Sequence, residues 1–427
     1  MKHLGTIMKQ DTLKEVILSQ SIRPVKNEVS REIDQELERY AKLPHAVLIS
    51  GIRRSGKSTL LEQLINKRHA KCYYLNFEDE RLINFKTEDF DALHEIFIEL
   101  YGDNLPFFLD EIQNIENWEV FVRRLYKQGY KFYITGSNAS MLSHEMGTKL
   151  TGRHVDLELF PFSFKEYLQF QKVNYDQNDL YLTPQRALLK KHFNLYLKEG
   201  GMPEFLQYKD SIVLQRTYDD ILYRDIITRY DVKAIKQFRS LSFYLMSNIS
   251  SKFTYNNLKN LFGFGSVSTV KNYIDYLTNS YLLFPLTRFA FSLKSQEQAP
   301  RKIYAIDNGM VEKIAFKFSQ KQGQYLENLV YLELRRRHKE LYYYETKNDL
   351  EVDFLVYEAG KIQALIQVSY DISVEQTKTR EINALVKAMK ETGCETALLL
   401  TYDTKDILTI ENKTIQILPV YHWILTK

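Results

Sequence analysis

One short run has the residue types and spacing of a phosphate-binding loop. It reads GIRRSGKST from Gly51 and fits the pattern G-x-x-x-x-G-K-[ST], with Gly56, Lys57 and Ser58 at the fixed positions. In this pattern the glycines let backbone N–H groups approach phosphate oxygens, and the N-terminus of the following helix adds positive potential. We therefore expect Lys57 to contact the β- and γ-phosphates of ATP and Ser58 to ligate Mg²⁺. The predicted nucleotide-binding residues are Gly51, Arg53, Arg54, Ser55, Gly56, Lys57, Ser58 and Thr59.

A pair of acids follows at the distance expected for such a loop. The segment LPFFLDEIQ is an apolar run that ends in Asp110 and Glu111. If the run is a strand, Asp110 lies at its carboxyl end, where it would hold the hydrated Mg²⁺. Glu111 would polarise the attacking water as a general base. Two exposed loop acids are the alternative, which an apolar strand after a phosphate-binding loop disfavours.

Polar residues also follow the run KFYITG. Either Ser137 or Asn138 would orient water or contact the γ-phosphate, and the sequence does not choose between them. The same residues would serve equally well as caps of a following helix. Arg153 is a further candidate, because an arginine at this place would complete the site of a neighbouring subunit as an arginine finger. An ordinary surface arginine is the alternative for Arg153.

The elements that must position these residues are four apolar runs, namely HAVLIS, CYYLNF, LPFFLDE and KFYITGS. Between them lie stretches with the apolar spacing of helices. This alternation predicts βαβ units, and hence an α/β fold with a parallel sheet and helices on both faces. The loop at Gly51 then follows a strand and opens a helix, which is the context that a phosphate-binding loop requires.

The rest of the chain changes its pattern twice. Helical spacing dominates through Arg229, interrupted by the break KEGGMPEF. Three helices and two strands are then indicated, an order that fits a winged helix. The last part reads as a helix, three strands, a helix and a strand. We therefore predict domains at residues 1–165, 166–236, 237–310 and 311–427.

Several motifs occur together in one order: GIRRSGKST, YLNFEDERL, FFLDEIQ, ITGSNASML, GRHVDLELFPFSFKEY and GGMPEF. With these motifs the chain resembles the bacterial and archaeal AAA-type ATPases that carry a C-terminal domain of unknown function. The resemblance covers nearly the whole chain. It implies an extended AAA+ core, a winged-helix segment and a restriction-endonuclease-like C-terminal domain. It also implies that Arg153 is the arginine finger.

The C-terminal pattern resembles a nuclease fold of the PD-(D/E)xK type in which half of the site is replaced. Glu327 lies on an amphipathic helix and Asp353 on a hairpin, where the carboxylates of that fold collect Mg²⁺. Gln367 stands where the fold has its second acid, and Ser369 stands where it has its lysine. Glutamine offers an uncharged oxygen to a cation, and serine offers no positive charge. A lysine from elsewhere would have to replace the missing one, for example Lys361 or Lys378.

Composition limits the class of protein and its partners. The 427 residues carry a net charge of +4, so DNA binding would need a local basic patch. The candidate recognition helix of the winged-helix segment offers Lys271 but no arginine. Cys72 and Cys394 cannot form a disulfide framework or a zinc site alone and are interpreted as reduced core thiols. No run approaches the roughly 18 apolar residues of a membrane span, so we expect a cytoplasmic protein without a membrane partner.

The sequence thus predicts a Mg²⁺-dependent ATP hydrolase of the AAA+ class. ATP and Mg²⁺ are the expected ligands, a homo-oligomer is the expected assembly, and DNA is a candidate partner. ATP turnover would drive rearrangement of the C-terminal domains. One alternative is a slow ATP-dependent switch or scaffold for a protein partner. Another alternative is a DNA nuclease that ATP licenses.

Overall fold

The computed structural model describes residues 8–20, 22, 29–68, 71–138, 153–316 and 322–426. The chain forms two compact units. The first comprises residues 1–160 with 279–281, and the second comprises 161–278 with 282–427. The residues that follow Asn138 in the motif ITGSNASML lie outside the described part of the chain. Among the helices of that part, none is both long and apolar enough to cross a membrane.

The first unit is built on a five-stranded parallel sheet. Its strands are β1 Ala46–Ser50, β2 Tyr73–Asn76, β3 Phe107–Asp110, β4 Phe132–Gly136 and β5 His154–Glu158. They lie side by side in the order β2-β3-β4-β1-β5, and every neighbouring pair is parallel. The helices are α1 Gln10–Ser19, α2 Asp34–Ala41, α3 Lys57–Arg68, α4 Phe90–Tyr101 and α5 Trp118–Lys127. The predicted α/β fold with a parallel sheet is confirmed.

Helices cover both faces of this sheet. On one face, Leu48 of β1 belongs to a cluster with Leu13 of α1 and Phe97 of α4. On the other face, Val47 of β1 belongs to a cluster with Leu61 of α3. Because both faces are buried, a central strand reads as a nearly continuous apolar run and does not alternate with polar residues. The apolar runs of the sequence therefore marked the central strands β1, β3 and β4 correctly, and one of them also marked the edge strand β2.

The strand β5 is not among the four apolar runs that the sequence predicts as strands. It pairs with β1 over its whole length and forms one edge of the sheet. Its polar residues His154, Asp156 and Glu158 alternate with Val155 and Leu157. An edge strand has only one neighbour, so alternating polar residues are tolerated there, and such a segment resembles a loop in sequence.

The second unit begins with helices and then forms a small antiparallel sheet. The first helices are α6 Phe164–Phe170, α7 Thr183–Glu199, α8 Pro203–Tyr208 and α9 Ile212–Asp220, followed by a π-helix at Ile221–Thr228. The next elements are α10 Ile235–Ser247, β6 Lys252–Phe253, α11 Tyr255–Phe262, α12 Val267–Asn279, β7 Leu283–Leu286, α13 Leu293–Gln298, β8 Arg301–Ala305 and α14 Asn308–Ile314. The strands lie in the order β6-β8-β7, and both neighbouring pairs are antiparallel.

A six-stranded mixed sheet completes the second unit. It follows α15 Gln322–Arg337 and consists of β9 Leu341–Glu345, β10 Glu351–Glu358, β11 Lys361–Ser369, β12 Ala397–Thr401, β13 Asp406–Ile410 and β14 Lys413–Pro419. Two more helices belong to this part, α16 Glu375–Thr392 and α17 Val420–Thr426. The strand order is β13-β14-β12-β11-β10-β9, with parallel pairs only at β11–β12 and β12–β14. Apolar residues of α16, such as Leu385 and Met389, pack in the core with this sheet.

Candidate functional site

The predicted phosphate-binding loop connects the carboxyl end of β1 to the first turn of α3. Gly56 has a φ of +97°, a left-handed conformation that favours glycine. A Cβ on Gly51 would lie 2.2 Å from the Leu159 carbonyl oxygen, so a side chain does not fit there. The side chain of Ser55 is buried, and its Oγ has no hydrogen-bond partner within the described residues. A buried, unpaired hydroxyl in this loop fits a site that binds a phosphate group.

Lys57 is held inside the loop by three oxygens. It begins α3, and its side chain is only 3% exposed. Its ammonium donates to the carbonyl oxygens of Gly51 and Ile52, each at 3.2 Å. It also lies 3.2 Å from Oε1 of Glu111. The structure thus brings the loop lysine together with an acid that follows β3.

Asp110 lies at the end of β3 and is fully buried. One carboxylate oxygen accepts a hydrogen bond from the Asn76 amide at 3.1 Å, and the other accepts from the Thr135 hydroxyl. The Ser58 hydroxyl also donates to this carboxyl group. Burial and the neighbouring charge of Glu111 raise the pKa of Asp110 to about 6. A carboxylate beside a serine hydroxyl is a set of hard oxygen donors that fits Mg²⁺.

Glu111 is fixed by both its backbone and its carboxylate. Its φ of +52° is left-handed, which is uncommon for a residue other than glycine. Its N–H donates to Oγ1 of Thr135 at 3.0 Å, and Nε2 of Gln113 donates to its Oε2 at 2.5 Å. Burial raises the pKa of Glu111, but the Lys57 ammonium and the Gln113 amide outweigh burial, and the pKa lies below its ordinary value. The carboxylate is therefore ionised at neutral pH, as a general base must be.

Ser137 and Asn138 follow β4, and both are buried. Nε2 of Gln113 lies 3.4 Å from Oγ of Ser137, so one amide connects Ser137 with Glu111. Sequence reasoning missed Gln113, although it stands in the run DEIQ that contains both acids. It also missed Thr135, because a threonine inside a strand carries no signal of its own.

Other predicted loop residues lie at the border of this site. Arg53 forms an ion pair with Glu78 at 2.8 Å. Arg54 is half-buried, with a left-handed φ of +65°, and Thr59 is exposed on α3. Arg31, which sequence reasoning missed, is buried and donates to the carbonyl oxygen of Ser55 at 3.2 Å and to that of Phe160 at 2.6 Å. No local pattern in the sequence points to Arg31.

Arg153 lies at the amino-terminal ends of β1 and β5, whereas the phosphate-binding loop of its own chain follows the carboxyl end of β1. It is exposed and directly precedes β5, and its carbonyl oxygen accepts a hydrogen bond from the Ala46 N–H. Ala46 is the first residue of β1. The loop begins with Gly51, directly after Ser50, the last residue of β1. At about 3.3 Å per residue, Ala46 and Gly51 are roughly 16 Å apart along β1. The structure therefore does not bring Arg153 to Lys57 and Glu111.

In the second unit, a lysine joins the acids that were predicted as a nuclease-like site. Lys302 lies on β8, and its side chain is 2% exposed. Its Nζ lies 2.6 Å from Oε1 of Glu327, 2.9 Å from Oε1 of Glu351 and 2.9 Å from Oδ1 of Asp353. These three oxygens satisfy the three N–H donors of the ammonium group. We call these four residues the Lys302 cluster.

The charged groups of the Lys302 cluster shift one another's pKa values. Burial lowers the pKa of Lys302, but Asp353 and Glu327 outweigh burial, so the pKa lies well above its ordinary value. Burial and the charge of Asp353 raise the pKa of Glu327 to about 8. The hydroxyl of Tyr304 also donates to Oε1 of Glu327 at 2.8 Å. Lys302 is therefore the charged centre of the cluster.

The other predicted members of that site have different partners. Oε1 of Gln367 accepts from the Asp353 N–H at 3.0 Å, and its Nε2 donates to Glu381 at 2.6 Å. The hydroxyl of Ser369 donates to the carbonyl oxygen of Asp371 at 3.3 Å. Lys361 lies at the opposite end of β11 from Ser369. Among the described residues, no group of three acid, histidine or cysteine side chains is arranged to hold a metal ion.

Comparison with known families defines the class of the first unit. Residues 44–168 match the family described as an AAA domain. Residues 190–321 match a domain of unknown function, DUF8612, and residues 322–423 match another, DUF4143. The parallel sheet and the loop at Gly51 agree with the first match. The first unit is therefore a P-loop domain of the AAA type.

One full-length relative shows the particular family. The uncharacterized protein MJ1544 of Methanocaldococcus jannaschii is 37% identical over 441 residues, which cover 98% of this chain and 96% of that protein. The chain belongs to the same family as MJ1544. An uncharacterized protein of Haemophilus influenzae is 29% identical, and the alignment covers 79% of this chain and 86% of that protein.

Two solved structures, one of an archaeal protein and one of a bacterial protein, have some similarity to this chain. The Aeropyrum pernix ORC1 protein in complex with DNA has 12% identity and a TM-score of 0.34, covering 70% of this chain and 94% of that chain. The Thermotoga maritima RuvB Holliday junction branch migration motor has 18% identity and a TM-score of 0.30, covering 64% of this chain and 93% of that chain. Scores of this size add nothing to what the sheet topology and the family match establish.

Proposed function

We propose that this protein is a Mg²⁺-dependent ATP hydrolase of the AAA+ class. The observation that carries the proposal is the ion pair between Lys57 of the loop and Glu111, the acid that directly follows β3. Nζ of Lys57 lies 3.2 Å from Oε1 of Glu111, directly beside the buried Asp110. The match of residues 44–168 to an AAA domain supports the same activity.

Each residue of the site has a role in this proposal. Lys57 and the backbone N–H groups of the loop bind the phosphates of ATP. Ser58 and Asp110 hold Mg²⁺, which neutralises charge on the phosphate oxygens when it is bound. Glu111 accepts a proton from the attacking water. Ser137 or Asn138 contacts the γ-phosphate.

We further propose that Arg153 acts on a neighbouring copy of the chain. The support is its exposed position at the amino-terminal end of β1, roughly 16 Å along this strand from the phosphate-binding loop of the same chain. An arginine that cannot reach its own nucleotide completes a site only in an assembly of several copies. The proposal therefore includes a homo-oligomer, with the arginine finger supplied in trans.

ATP turnover would be coupled to rearrangement of the second unit, with DNA as the candidate partner. The support for a winged helix is the element order α10, β6, α11, α12, β7, α13 and β8, with its three-stranded sheet. The support for DNA contact on the recognition helix α12 is weak. Lys271 of this helix lies over the ring of Tyr255, so its ammonium already makes a cation–π contact within the protein.

The Lys302 cluster bears on the nuclease alternative. We propose that the cluster stabilises the fold and does not cleave DNA, because Lys302 occupies the place between the acids where a metal ion would bind. Its ammonium is already satisfied by Glu327, Glu351 and Asp353. Incubating plasmid DNA with the protein, ATP and Mg²⁺ or Mn²⁺ tests this proposal. Intact plasmid is expected, and cleavage that disappears in Asp353→Ala would revive the nuclease.

A substitution of the proposed base tests the ATPase proposal. Glu111→Gln should retain ATP binding and lose turnover by about 10²–10⁴-fold, since it removes proton acceptance and keeps the shape. Glu116→Gln is the matched control, because this exposed acid lies outside the site. Equal turnover of the two variants would count against Glu111 as the base. Wild-type turnover that is slow and unaffected by DNA would favour the ATP-dependent switch.

A further inference from the structure

Gln113 is a buried side chain of the ATPase site without an assigned role. It lies in the short 3₁₀ turn Ile112–Asn114 directly after Glu111 and is 5% exposed. Its Nε2 donates to Oε2 of Glu111 at 2.5 Å and lies 3.4 Å from Oγ of Ser137. One amide nitrogen thus connects the residues that follow β3 and β4.

The oxygen of the same amide has no hydrogen-bond partner among the residues that the structure describes. Oε1 of Gln113 is buried and accepts no hydrogen bond from any described residue. An unpaired buried acceptor costs stability. Packing alone therefore does not explain an amide at this position, since an apolar side chain of the same length would avoid that cost. A ligand that donates a hydrogen bond next to Glu111 would explain it.

We infer that Gln113 positions the attacking water for Glu111. This inference rests on the proposed ATPase function. The N–H of the amide holds the carboxylate, and the carbonyl oxygen accepts one O–H of the water. The water's other O–H then points to Glu111, so its lone pair has a fixed direction. In Ras-type GTPases a glutamine likewise orients the attacking water.

The chemical step balances with these residues and ATP. The water oxygen forms a bond to the γ-phosphorus, and the bond from that phosphorus to the β,γ-bridging oxygen breaks. The electron pair of the broken bond leaves on ADP. One water proton passes to Glu111, and the second stays on the phosphate product, where its O–H still faces Oε1 of Gln113.

The alternative is that Gln113 only supports the shape of the site. The two roles predict different results for Gln113→Met, which keeps the length of the side chain and removes both polar atoms. A positioning residue lowers kcat and leaves ATP affinity unchanged. A support of the fold lowers the melting temperature and weakens binding as well.

The experiment measures steady-state ATP hydrolysis and the binding of the fluorescent analogue mant-ATP. For Gln113→Met we expect kcat to fall about 10²-fold, because a misplaced reactant costs a factor of this size. KM and the Kd for mant-ATP should stay within about twofold, since substrate binding does not use this amide. The melting temperature should not fall. Gln128→Met is the matched control, because Gln128 is exposed after α5.

A double variant tests whether Gln113 acts together with Glu111. Gln113→Met should cost little in a Glu111→Gln background, because residues that act as a unit are not additive. Gln113→Asn is a second variant that remains polar but is too short to keep both contacts, so its kcat should also fall. It preserves the test if the methionine variant does not fold.

The failure of this inference is distinguishable from the failure of the proposed function. If wild-type protein hydrolyses ATP, Glu111→Gln does not, and Gln113→Met retains wild-type kcat, the inference is overturned and the ATPase stands. A fall in both kcat and mant-ATP affinity together with a lower melting temperature would overturn it in favour of a structural role. If wild-type protein binds mant-ATP and releases no phosphate, the proposed ATPase fails, and this inference fails with it.

Discussion

Nζ of Lys302 lies 2.9 Å from Oδ1 of Asp353, although the two residues are 51 positions apart and belong to different sheets. The nuclease resemblance leads one to expect a metal ion between the acids. The chain places its own cation there. The ion pair also connects β8 of the small sheet with β10 of the large one, so it contributes to the stability of the second unit.

Removing this cation should destabilise the second unit strongly. Lys302→Met leaves the largely buried acids Glu327 and Asp353 without their counter-ion, and breaking a buried ion pair from one side costs about 3–5 kcal/mol. Chemical denaturation followed by circular dichroism measures the loss. Lys361→Met is the matched control, because Lys361 is exposed at the start of β11 and should cost little. A loss for Lys302→Met no larger than the control would contradict the role given to the cluster.

The raised pKa of Glu327 predicts a pH-dependent effect of Glu327→Gln. The folded pKa of about 8 lies above the ordinary 4.5, so the folded state binds a proton that the unfolded state releases between these values. The stability contributed by this group is complete below pH 4.5 and is lost as the pH rises through 8. The other charged groups facing it are Lys302, Glu351 and Asp353, with Tyr304 as a neutral donor.

Glu327→Gln mimics the protonated acid and should therefore match wild type near pH 5 and become the more stable protein above pH 8. Thermal melts of both proteins at pH 5, 7 and 9 measure the difference. Glu340→Gln, at an exposed acid before β9, controls for a general change in charge. A variant that is less stable than wild type at pH 9 would mean that the ionised form of Glu327 stabilises the fold, which contradicts a raised pKa.

The glycine break after α7 should be intolerant of a side chain. Gly200 has a φ of +70° and a ψ of −161°, a region that is nearly exclusive to glycine. A Cβ would also lie 2.2 Å from Oδ2 of Asp307. Gly200→Ala should therefore lower the free energy of unfolding by at least about 2 kcal/mol.

Gly393→Ala is the matched control for this prediction. Gly393 follows α16 with a φ of +71° and a ψ of 9°, and a Cβ there meets no atom within 4 Å. Left-handed backbone alone should cost about 1 kcal/mol. Urea denaturation of both variants gives the comparison. Equal losses would show that the close approach to Asp307 contributes nothing.

The position of Arg153 predicts complementation between two inactive variants. Arg153→Ala should bind ATP and lose about 10³-fold in turnover, the usual effect of removing an arginine finger. Mixing it with Lys57→Ala combines an intact loop with an intact arginine at roughly a quarter of the interfaces of a randomly mixed assembly. Partial recovery of phosphate release is therefore expected. Arg123→Ala, an exposed arginine on α5, is the control, and no recovery on mixing would count against a shared site.

The sequence predicted that the loop at Gly51 and the acids Asp110 and Glu111 lie close together, because this arrangement follows from local segments. The loop and the start of α3 are contiguous, and Asp110 and Glu111 lie at the end of one apolar strand. The carboxyl ends of parallel strands meet at one edge, so the pattern alone brought these residues together. Gln113 was visible in the same motif, but its contact with Ser137 depends on the turn that follows Glu111.

The sequence did not predict the Lys302 cluster because that cluster is non-local. Lys302 lies in the run RKIYA, where alternation in a strand suggests that a lysine faces solvent. All of β8 is buried, so the lysine must find acids inside. Glu351 also went unrecognised, since an acid at the start of a strand resembles a surface residue. Only the packing of the two sheets brings these charges together.

The most direct test of the ATPase proposal is phosphate release by the wild-type protein with ATP and Mg²⁺, beside Lys57→Ala under the same conditions. We predict turnover by the wild type and its loss in the variant, since the variant lacks the ammonium that binds the phosphates. Adding duplex DNA to the same assay asks whether turnover is coupled to nucleic acid. Equal phosphate release by the two proteins, or none by either, would contradict an ATP-hydrolysing site at this loop.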